Sequence, residues 1–448
     1  MNLPEKFKDN MRELLNVDYD RYIKSFNEKA KRGLRVNLNY IAANDFVKVF
    51  PYEIEKLNRI DNGYHLKTEE KIGNTIYHHL GLIYLQEPAS MLPALCLDIK
   101  GGENVLDLCS APGGKASQIL ERNKKGIVVL NEIVRNRANI LFSNVERQGF
   151  KNAIITSLSP EKLASKFPNF FDKILVDAPC SGEGMFRKDP ETINEWNENL
   201  PEFNHQRQMD ILKEADKMLK QNGELVYSTC TYNLDENERT VFEFCEKFGY
   251  EIVETPQNVI ANTTSGFKYN NDKTTLARRC FAHNGFGEGQ FMCKMIKKSQ
   301  NSGDFYFKKP KSIELKQLEN KLITDFVKQN LKNPDFNFVK NGDNIYIINN
   351  LVCDFDGVVN MGVMFGTIVK DRLVPSHQLF KAYGDYFINK INLDYGDERI
   401  DKYLRGEEIE VDCNNGYACL MVNNVALGGG KVTNNRLKNH YPKGLRNN

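Results

Sequence analysis

The chain has 448 residues, and its 61 lysines and arginines almost balance its 59 aspartates and glutamates, which leaves a formal net charge of +2. This length exceeds what one hydrophobic core normally supports, so we expect two to four domains. Hydrophobic residues make up 41% of the chain, which excludes wholesale disorder, and a mean hydropathy of −0.52 without long apolar runs argues against a membrane-spanning protein. Because the net charge is close to zero, any binding of nucleic acid must depend on local patches of basic residues.

The cysteine pattern bears on compartment and metal binding. The first residues lack the apolar stretch of a signal peptide, so we expect reduced thiols and a cytoplasmic location. None of the ten cysteines forms a C-x-x-C pair and there are only seven histidines, so we expect no metal site. Most of the cysteines are expected to be small buried apolar residues.

The first 85 residues predict an N-terminal accessory or RNA-binding domain of the α+β class. Residues 4–37 have a helical pattern in which nine bases are diluted by six acids, which fits an RNA contact and a solvated helical face equally well. Residues 37–79 are mixed and include a predicted hairpin around residues 61–63.

Between residues 86 and 299, strands and helices alternate. The predicted strands are 104–109, 127–130, 153–156, 172–177 and 223–228, and the predicted helices are 115–122, 134–148 and 203–220. This alternation predicts a parallel α/β sheet with helices on both faces.

The remainder predicts small β-rich domains. Residues 296–312 are polar and contain Gly and Pro, which is typical of a linker, and a short helix is predicted at 313–329. Short apolar runs follow, and we divide them into domains 300–375 and 376–448. Residues 431–448 carry five bases and no acid, and with His440 and Tyr441 they fit phosphate contact plus base stacking, or equally a solubilising terminus.

A glycine turn at residues 107–115 (DLCSAPGGK) joins a predicted strand to a predicted helix. Gly113 and Gly114 allow a ligand to approach the backbone at the positive end of that helix. The spacing fits neither the dinucleotide fingerprint nor the P-loop, and an ordinary βα turn is the alternative. Glu132 ends the next strand, where an acid normally binds a ribose diol, although a lone acid there is usually just solvated.

Two further motifs place thiols at the same edge of the sheet. Residues 177–184 (DAPCSGEG) and 228–232 (STCTY) each follow a predicted strand, and they contain Cys180 and Cys230. Asn233 and Glu236 match a capping box, so we expect Cys230 to lie just ahead of a helix N-terminus that lowers its pKa. Either cysteine alone is more often structural, but two at one ligand edge favour catalysis.

Methylation of a pyrimidine at carbon-5 needs this set of groups. A thiolate that adds to C6 makes C5 nucleophilic enough to attack a methyl sulfonium. A carboxylic acid near N3 and the exocyclic amine stabilises the charge that develops, and another group must take the C5 proton. These residues alone do not decide which cysteine is the nucleophile.

The three motifs resemble the signatures of the Sun-type (NOL/NOP/Sun) RNA cytosine-C5 methyltransferases. Flanking segments also resemble that family, namely residues 86–91, 184–190, 287–291, 426–431 and 438–446. The resemblance implies a Rossmann-like S-adenosylmethionine-dependent methyltransferase domain at 86–299 and a PUA-like RNA-binding module at 376–448.

The resemblance also implies residue roles. It makes Cys230 the nucleophile, gives Cys180 a part in product release, and places Asp177 near the methyl donor and the target base. The implied S-adenosylmethionine site comprises Cys109, Ser110, Ala111, Pro112, Gly113, Gly114 and Lys115 at the methionine moiety, Glu132 at the ribose, and Asp177. Ser159 stands where the family often has an Asp for the adenine end, which leaves that contact open.

The expected partner is ribosomal RNA or the small ribosomal subunit, bound by a monomer. A methyltransferase acting on transfer RNA or DNA is an alternative, and so is a non-catalytic RNA-binding assembly factor. The presence of Lys115, Asp177 and both cysteines argues against a factor without catalysis, since such a protein has no chemical need for two thiols.

Overall fold

The computed structural model describes residues 1–299, 315–332, 334–348, 351–353 and 355–447. Its N-terminal part contains helices and one antiparallel sheet: α1 Glu5–Leu15, α2 Tyr19–Ser25, β1 Gly33–Val36, α3 Ala43–Val49, β2 Ile54–Lys56, β3 Gly63–Leu66, α4 Ile76–His79 and β4 Ile83–Leu85. The strand order is β2-β3-β1-β4. The predicted hairpin is confirmed, because β2 and β3 pair in antiparallel fashion across residues 57–62.

The central part follows in chain order. Its elements are α5 Leu92–Cys96, β5 Val105–Asp107, α6 Gly114–Arg122, β6 Val128–Asn131, α7 Arg135–Arg147, β7 Ala153–Thr156, α8 Pro160–Ala164, β8 Phe171–Asp177, α9 Glu191–Glu195, α10 Leu200–Met218, β9 Leu219–Thr229, α11 Thr240–Phe248, β10 Tyr250–Val253, α12 Gln257–Ile260, β11 Thr264–Ser265, β12 Arg278–Cys280 and β13 Gln290–Lys297. A π-helical turn, Asp235–Arg239, leads into α11.

The C-terminal part adds two more sheets. Its elements are α13 Gln317–Asn330, β14 Asn337–Asn341, β15 Asn344–Ile348, β16 Val358–Met361, β17 Val363–Val369, β18 Arg372–Pro375, α14 His377–Tyr383, β19 Asn389–Leu393, α15 Glu398–Leu404, β20 Ile409–Glu410, β21 Gly416–Val422, β22 Val425–Thr433 and β23 Arg436–Asn439. The sheet orders are β14-β15-β17-β18 and β19-β21-β22-β23-β20. Short 3-10 turns lie at Asn16–Asp18, Ile72–Asn74, Ala89–Met91, Glu183–Met185, Asp272–Leu276, Ala282–Asn284, Gly384–Tyr386 and Lys443–Leu445.

The central sheet positions the site. Its order is β11-β12-β13-β9-β8-β5-β6-β7-β16, and the pairs from β9 to β7 are parallel, as predicted. Most residues of these strands are buried, because helices cover both faces. The antiparallel pairs at the two sides, where β13 lies on β9 and β16 lies on β7, were not predicted from the sequence.

Other predictions fall partly outside the described residues. The helix predicted at 313–329 is Gln317–Asn330. Of the predicted linker, residues 296 and 297 belong to β13, whereas residues 300–312 lie outside the described residues. The domain boundaries at 85, 299 and 375 stay predictions. In the part of the chain described, no helix is long and apolar enough to cross a bilayer.

The N-terminal sheet and the last sheet share one hydrophobic core, which includes Leu34, Ile83, Leu420 and Tyr441. Tyr441 is only 2% exposed, and its hydroxyl lies 2.9 Å from Nδ1 of His79. The prediction that Tyr441 stacks on RNA is therefore wrong, because the ring folds back into this core. The exposed bases of the predicted basic tail are Lys431, Arg436, Lys438 and Lys443.

Candidate active site

The carboxyl ends of β5, β8 and β9 open into a cavity of about 340 Å³. Residues from all three sequence motifs line it, namely Asp107, Cys109, Ser110, Ala111, Pro112, Gly114, Lys115, Asp177 and Cys230. The rest of its wall comprises Tyr84, Leu85, Gln86, Glu87, Ser90, Met185, Lys188 and Gln290. The structure thus brings together motifs that lie more than 100 residues apart in the chain.

The glycine turn builds one wall of this cavity. Gly113 has a φ of +117°, a conformation that side-chain-bearing residues rarely adopt, and α6 begins immediately after it at Gly114. A Cβ on Gly113 would lie 3.1 Å from Cδ1 of Leu141. The turn therefore needs glycine here, and it aims the first N–H groups of α6 at the cavity.

Asp107 is a buried acid that lines the cavity, and no role was predicted for it from the sequence. Both of its carboxyl oxygens are buried and make no hydrogen bond of good geometry with the described residues, although the Cys109 N–H and the Ser110 hydroxyl lie near enough to favour the ionised form. Burial, assisted by the charge of Asp177, raises the pKa of Asp107 to about 7. An unpaired carboxyl beside a glycine turn fits a ligand that carries an ammonium group, as an amino-acid moiety does.

Lys115 and Asp177 form an ion pair inside the cavity. Nζ of Lys115 lies 2.7 Å from Oδ2 of Asp177, and the Ser228 hydroxyl donates to Oδ1 of Asp177 at 2.5 Å. Burial alone would lower the pKa of Lys115, but the Asp177 carboxylate outweighs it and the pKa is raised. The pair fixes Asp177 at the end of β8, where it faces the space beside Cys230.

The two predicted cysteines lie side by side. Their Sγ atoms are 3.4 Å apart, and Cys230 lines the cavity. The hydrogen bond with Cys180 lowers the pKa of Cys230 against the opposing effect of burial, and the Lys115 ammonium lowers it further. The same hydrogen bond and burial raise the pKa of Cys180. Of the two thiols, Cys230 ionises more readily.

The expected capping box does not form. The side chain of Asn233 accepts the N–H of Asp235 at 2.8 Å, but Glu236 turns away to the Cys180 loop, where it accepts the backbone N–H of Ser181 at 2.9 Å. The following helix begins five residues beyond Cys230, and the groups that lower the pKa of Cys230 are Cys180 and Lys115. Glu236 and Ser181 lie 55 residues apart in the chain, so no local sequence pattern indicates their contact.

Three predicted cofactor residues, Gly113, Glu132 and Ser159, are not among the residues that line the cavity. Glu132 follows β6, is 3% exposed, and accepts the N–H of Val134 at 2.9 Å. Ser159 precedes α8 and hydrogen-bonds to Glu161. The assignment of Glu132 and Ser159 to the ribose and adenine ends stays a prediction. All ten cysteines are free, and among the described residues no cluster of three or more His, Cys, Asp or Glu could hold a metal ion.

Family models and relatives match most of the chain. Three family models match consecutive parts of the chain: an RsmF N-terminal domain at 3–88, 16S rRNA methyltransferase RsmB/F at 94–296, and an RsmF PUA domain at 390–447. Ribosomal RNA small subunit methyltransferase F of Aliivibrio salmonicida is 29% identical over 99% of this chain and 97% of its own length. The enzyme of that name from Pectobacterium carotovorum is 37% identical over 53% of this chain, a match that spans about half of that relative's length (52%).

A solved structure shares the catalytic fold. A methyltransferase homolog protein from Pyrococcus horikoshii superposes with a TM-score of 0.58 at 28% identity, covering 66% of this chain and 95% of its own. The predicted fold, a Rossmann-like methyltransferase domain with S-adenosylmethionine as its cofactor and a PUA-like C-terminal module, is thereby confirmed. The chain belongs to the 16S rRNA methyltransferase RsmB/F family.

Proposed function

We propose that this protein transfers a methyl group from S-adenosylmethionine to C5 of cytosine in small-subunit (16S) ribosomal RNA, in the cytoplasm. The observation that carries the proposal is the pair of thiols 3.4 Å apart beside the Lys115–Asp177 ion pair. The family match, with its PUA domain, supports ribosomal RNA over transfer RNA or DNA. A protein that only binds RNA would have no use for such a thiol pair.

In the proposed reaction, Cys230 adds its thiolate to C6 of the flipped cytosine. The lowered pKa of Cys230 supports this order of the two thiols, because the thiolate is the nucleophilic form. Asp177 faces N3 and the exocyclic amine, and it carries a proton in the reacting complex, because only the carboxylic acid, and not the carboxylate paired with Lys115, can donate to N3 as negative charge develops in the ring. S-adenosylmethionine, when bound, supplies an electrophilic methyl group.

Cofactor binding in this proposal uses residues of the glycine turn. The unpaired carboxyl of Asp107 accepts from the ammonium group of the methionine moiety, and the turn at Cys109–Gly114 cradles the rest of that moiety. Cys180 assists the final release, in which a base takes the C5 proton, the C5–H electron pair forms the C5–C6 double bond, and the C6–sulfur bond breaks to return Cys230 as a thiolate.

Bisulfite sequencing of ribosomal and transfer RNA from a deletion strain tests the activity. We expect one or more 5-methylcytosines of 16S rRNA to disappear in the deletion strain and to return when the wild-type gene is restored. A gene that encodes the Cys230→Ala variant, returned to the deletion strain, should leave the sites unmethylated. Cys413→Ser, which changes a half-buried cysteine of the C-terminal part, serves as the control and should restore methylation. Unchanged 5-methylcytosine in 16S rRNA of the deletion strain would refute the proposal.

The order of the two thiols is tested with purified protein. Cys180→Ala should accumulate a protein–RNA adduct that survives denaturant, because the C6–sulfur bond forms and is not released. Cys230→Ala should form no adduct and transfer no methyl group. An adduct seen with Cys230→Ala, and not with Cys180→Ala, would reverse the assignment.

A further inference from the structure

A chain of buried polar side chains links the two cysteine loops. Ser181, which follows Cys180, has its hydroxyl in contact with Oε1 of Glu236 and lies 2.8 Å from the hydroxyl of Thr231. Thr231, which follows Cys230, contacts Oε2 of Glu183 at 3.0 Å. All four linked side chains belong to residues no more than 6% exposed.

This chain needs one more proton than its hydroxyl groups supply. It has three oxygen–oxygen contacts, Glu236–Ser181, Ser181–Thr231 and Thr231–Glu183, and each contact requires a proton between its two oxygens. The two hydroxyls provide two protons. The third must come from a carboxyl group, because an ionised carboxylate only accepts hydrogen bonds.

The surroundings favour Glu236 over Glu183 as the holder of this proton. Burial raises the pKa of Glu183 as well, but the indole N–H of Trp196, which Glu183 accepts at 3.1 Å, and the positive charge of Arg279 oppose that rise. On Glu236, Oε2 accepts from the Ser181 backbone and from Gln208, which leaves Oε1 as the atom that donates to the Ser181 hydroxyl. Burial raises the pKa of Glu236 to about 8.

We propose that Glu236 is a positioning residue whose carboxylic-acid proton completes this chain and thereby holds the Cys180 and Cys230 thiols within hydrogen-bond distance. The contribution of Glu236 to catalysis rests on the proposed function, whereas its effect on the thiols does not. Gln208 reinforces the arrangement, since its amide also donates to the carbonyl of Pro179 at 3.0 Å. When the chain is broken, the thiols are free to separate and Cys230 loses the donor that stabilises its thiolate.

Several charged or titratable groups face this chain. Glu236 is faced by Glu183, by the thiols Cys180 and Cys230, and by Tyr227, which belongs to β9. Helix α10 contributes the neutral side chain of Gln208. Glu183 is faced by Arg279 of β12 and Tyr22 of α2. Since most of these neighbours are acids, they favour retention of the proton, and only Arg279 opposes it.

Thiol reactivity tests the proposal without RNA or cofactor. Alkylation of Cys230 by iodoacetamide is followed by peptide mass spectrometry between pH 6 and pH 10. In Thr231→Val, which keeps the shape of the side chain and removes the hydroxyl, we expect the rate at pH 7 to fall roughly tenfold, as for a rise of one pKa unit. Thr231→Ser, the matched control, should keep the wild-type pH profile. Equal profiles for Thr231→Val and the wild type would overturn the proposal.

Two variants of Glu236 separate proton donation from packing. Glu236→Gln keeps a hydrogen-bond donor at the position of the acid, so alkylation of Cys230 should keep the wild-type pH profile. In Glu236→Ala, alkylation of Cys230 at pH 7 should slow as it does in Thr231→Val. In addition, the infrared difference spectrum between the wild type and Glu236→Gln at pH 7 should contain the carbonyl band of a protonated carboxyl group. Absence of that band, or a Gln variant as impaired as the Ala variant, would refute the assignment. Because neither readout involves RNA, failure here is distinguishable from failure of methyl transfer.

Discussion

At the scale of single residues, we expect Asp107 to set the pH dependence of cofactor binding. Its carboxyl is buried, makes no hydrogen bond of good geometry with the described residues and has a pKa of about 7. A cationic ligand binds its ionised form, so ligand binding should pull a proton off the fraction that is protonated. Below pH 7 that fraction grows and affinity falls, whereas above pH 7 affinity should level off.

Calorimetry with S-adenosylmethionine tests this expectation. At pH 6, titrations in two buffers of different ionisation enthalpy should reveal proton release by the wild type and none by Asp107→Asn. At pH 8 the variant should bind about 10- to 150-fold more weakly, which corresponds to the loss of one charged hydrogen bond. Asp172→Asn, at the opposite end of β8, is the control. Equal affinities for Asp107→Asn and the wild type would contradict this role.

The sequence predicted part of the site because its motifs are local. The glycine turn, Asp177 and both cysteines follow strands whose apolar runs are readable, so their meeting at one sheet edge was predictable. The position of Glu236 was not, because its spacing from Asn233 matches a capping box while its actual partner, Ser181, belongs to another loop. Contacts between loops carry no periodic signal in a single sequence.

At the scale of elements, close backbone packing between two glycines ties the Cys180 loop to the start of β13. A Cβ built on Gly289 would lie 2.5 Å from the Cα of Gly184 and 2.6 Å from the Tyr232 ring. The N–H of Gly184 also donates to the carbonyl of Cys230 at 2.9 Å. Any separation of these glycines therefore moves the loops that carry the thiols.

Gly289→Ala should lower the free energy of unfolding by about 1–3 kcal/mol through overpacking. Because Gly289 lacks a positive φ, the expected effect is steric. It should also slow alkylation of Cys230. Gly73→Ala is the control, since its new methyl group would meet the nearest atom at 3.9 Å, and it should unfold like the wild type in thermal and urea melts. If the Gly289→Ala protein were as stable as the wild type, the Cys180 loop and the start of β13 would be able to move apart without loss of stability, which would contradict this prediction.

The parallel strands were predictable at this scale, but the pairings at the sides of the sheet were not. Each parallel strand is a buried apolar run followed by a helix, which is the pattern of a βαβ unit. In contrast, β16 reaches β7 from about 200 residues further along the chain, and β13 follows a long irregular excursion. Neither strand pair can be recognised from a periodic pattern in the sequence.

At the scale of the whole molecule, the first and last sheets depend on each other through their shared core. Tyr441 is central to this dependence, because it contacts His79 of the N-terminal part and the ring of Tyr403. Its burial also shows that part of the basic terminus, which the sequence assigned equally to RNA contact or to solubility, belongs to the core.

Tyr441→Ala should lower stability by about 3–5 kcal/mol, as for other large buried aromatic side chains. Hydrogen exchange should accelerate both in residues 63–85 and in residues 390–439, since each side of the core loses its partner. Lys438→Ala, which changes an exposed base of the same segment, should leave exchange unaltered. Faster exchange confined to the C-terminal residues would argue against a shared core.

The shared core has a consequence for synthesis of the protein. The ribosome completes β4 about 300 residues before the strands that cover the N-terminal sheet, a delay of roughly 15–60 s at ordinary elongation rates. During this interval the nascent chain exposes apolar surface of its first sheet, and the edge of β7 awaits β16. The N-terminal sheet is therefore synthesised long before its core is complete, and its apolar surface stays open to aggregation until residues 389–441 have been made.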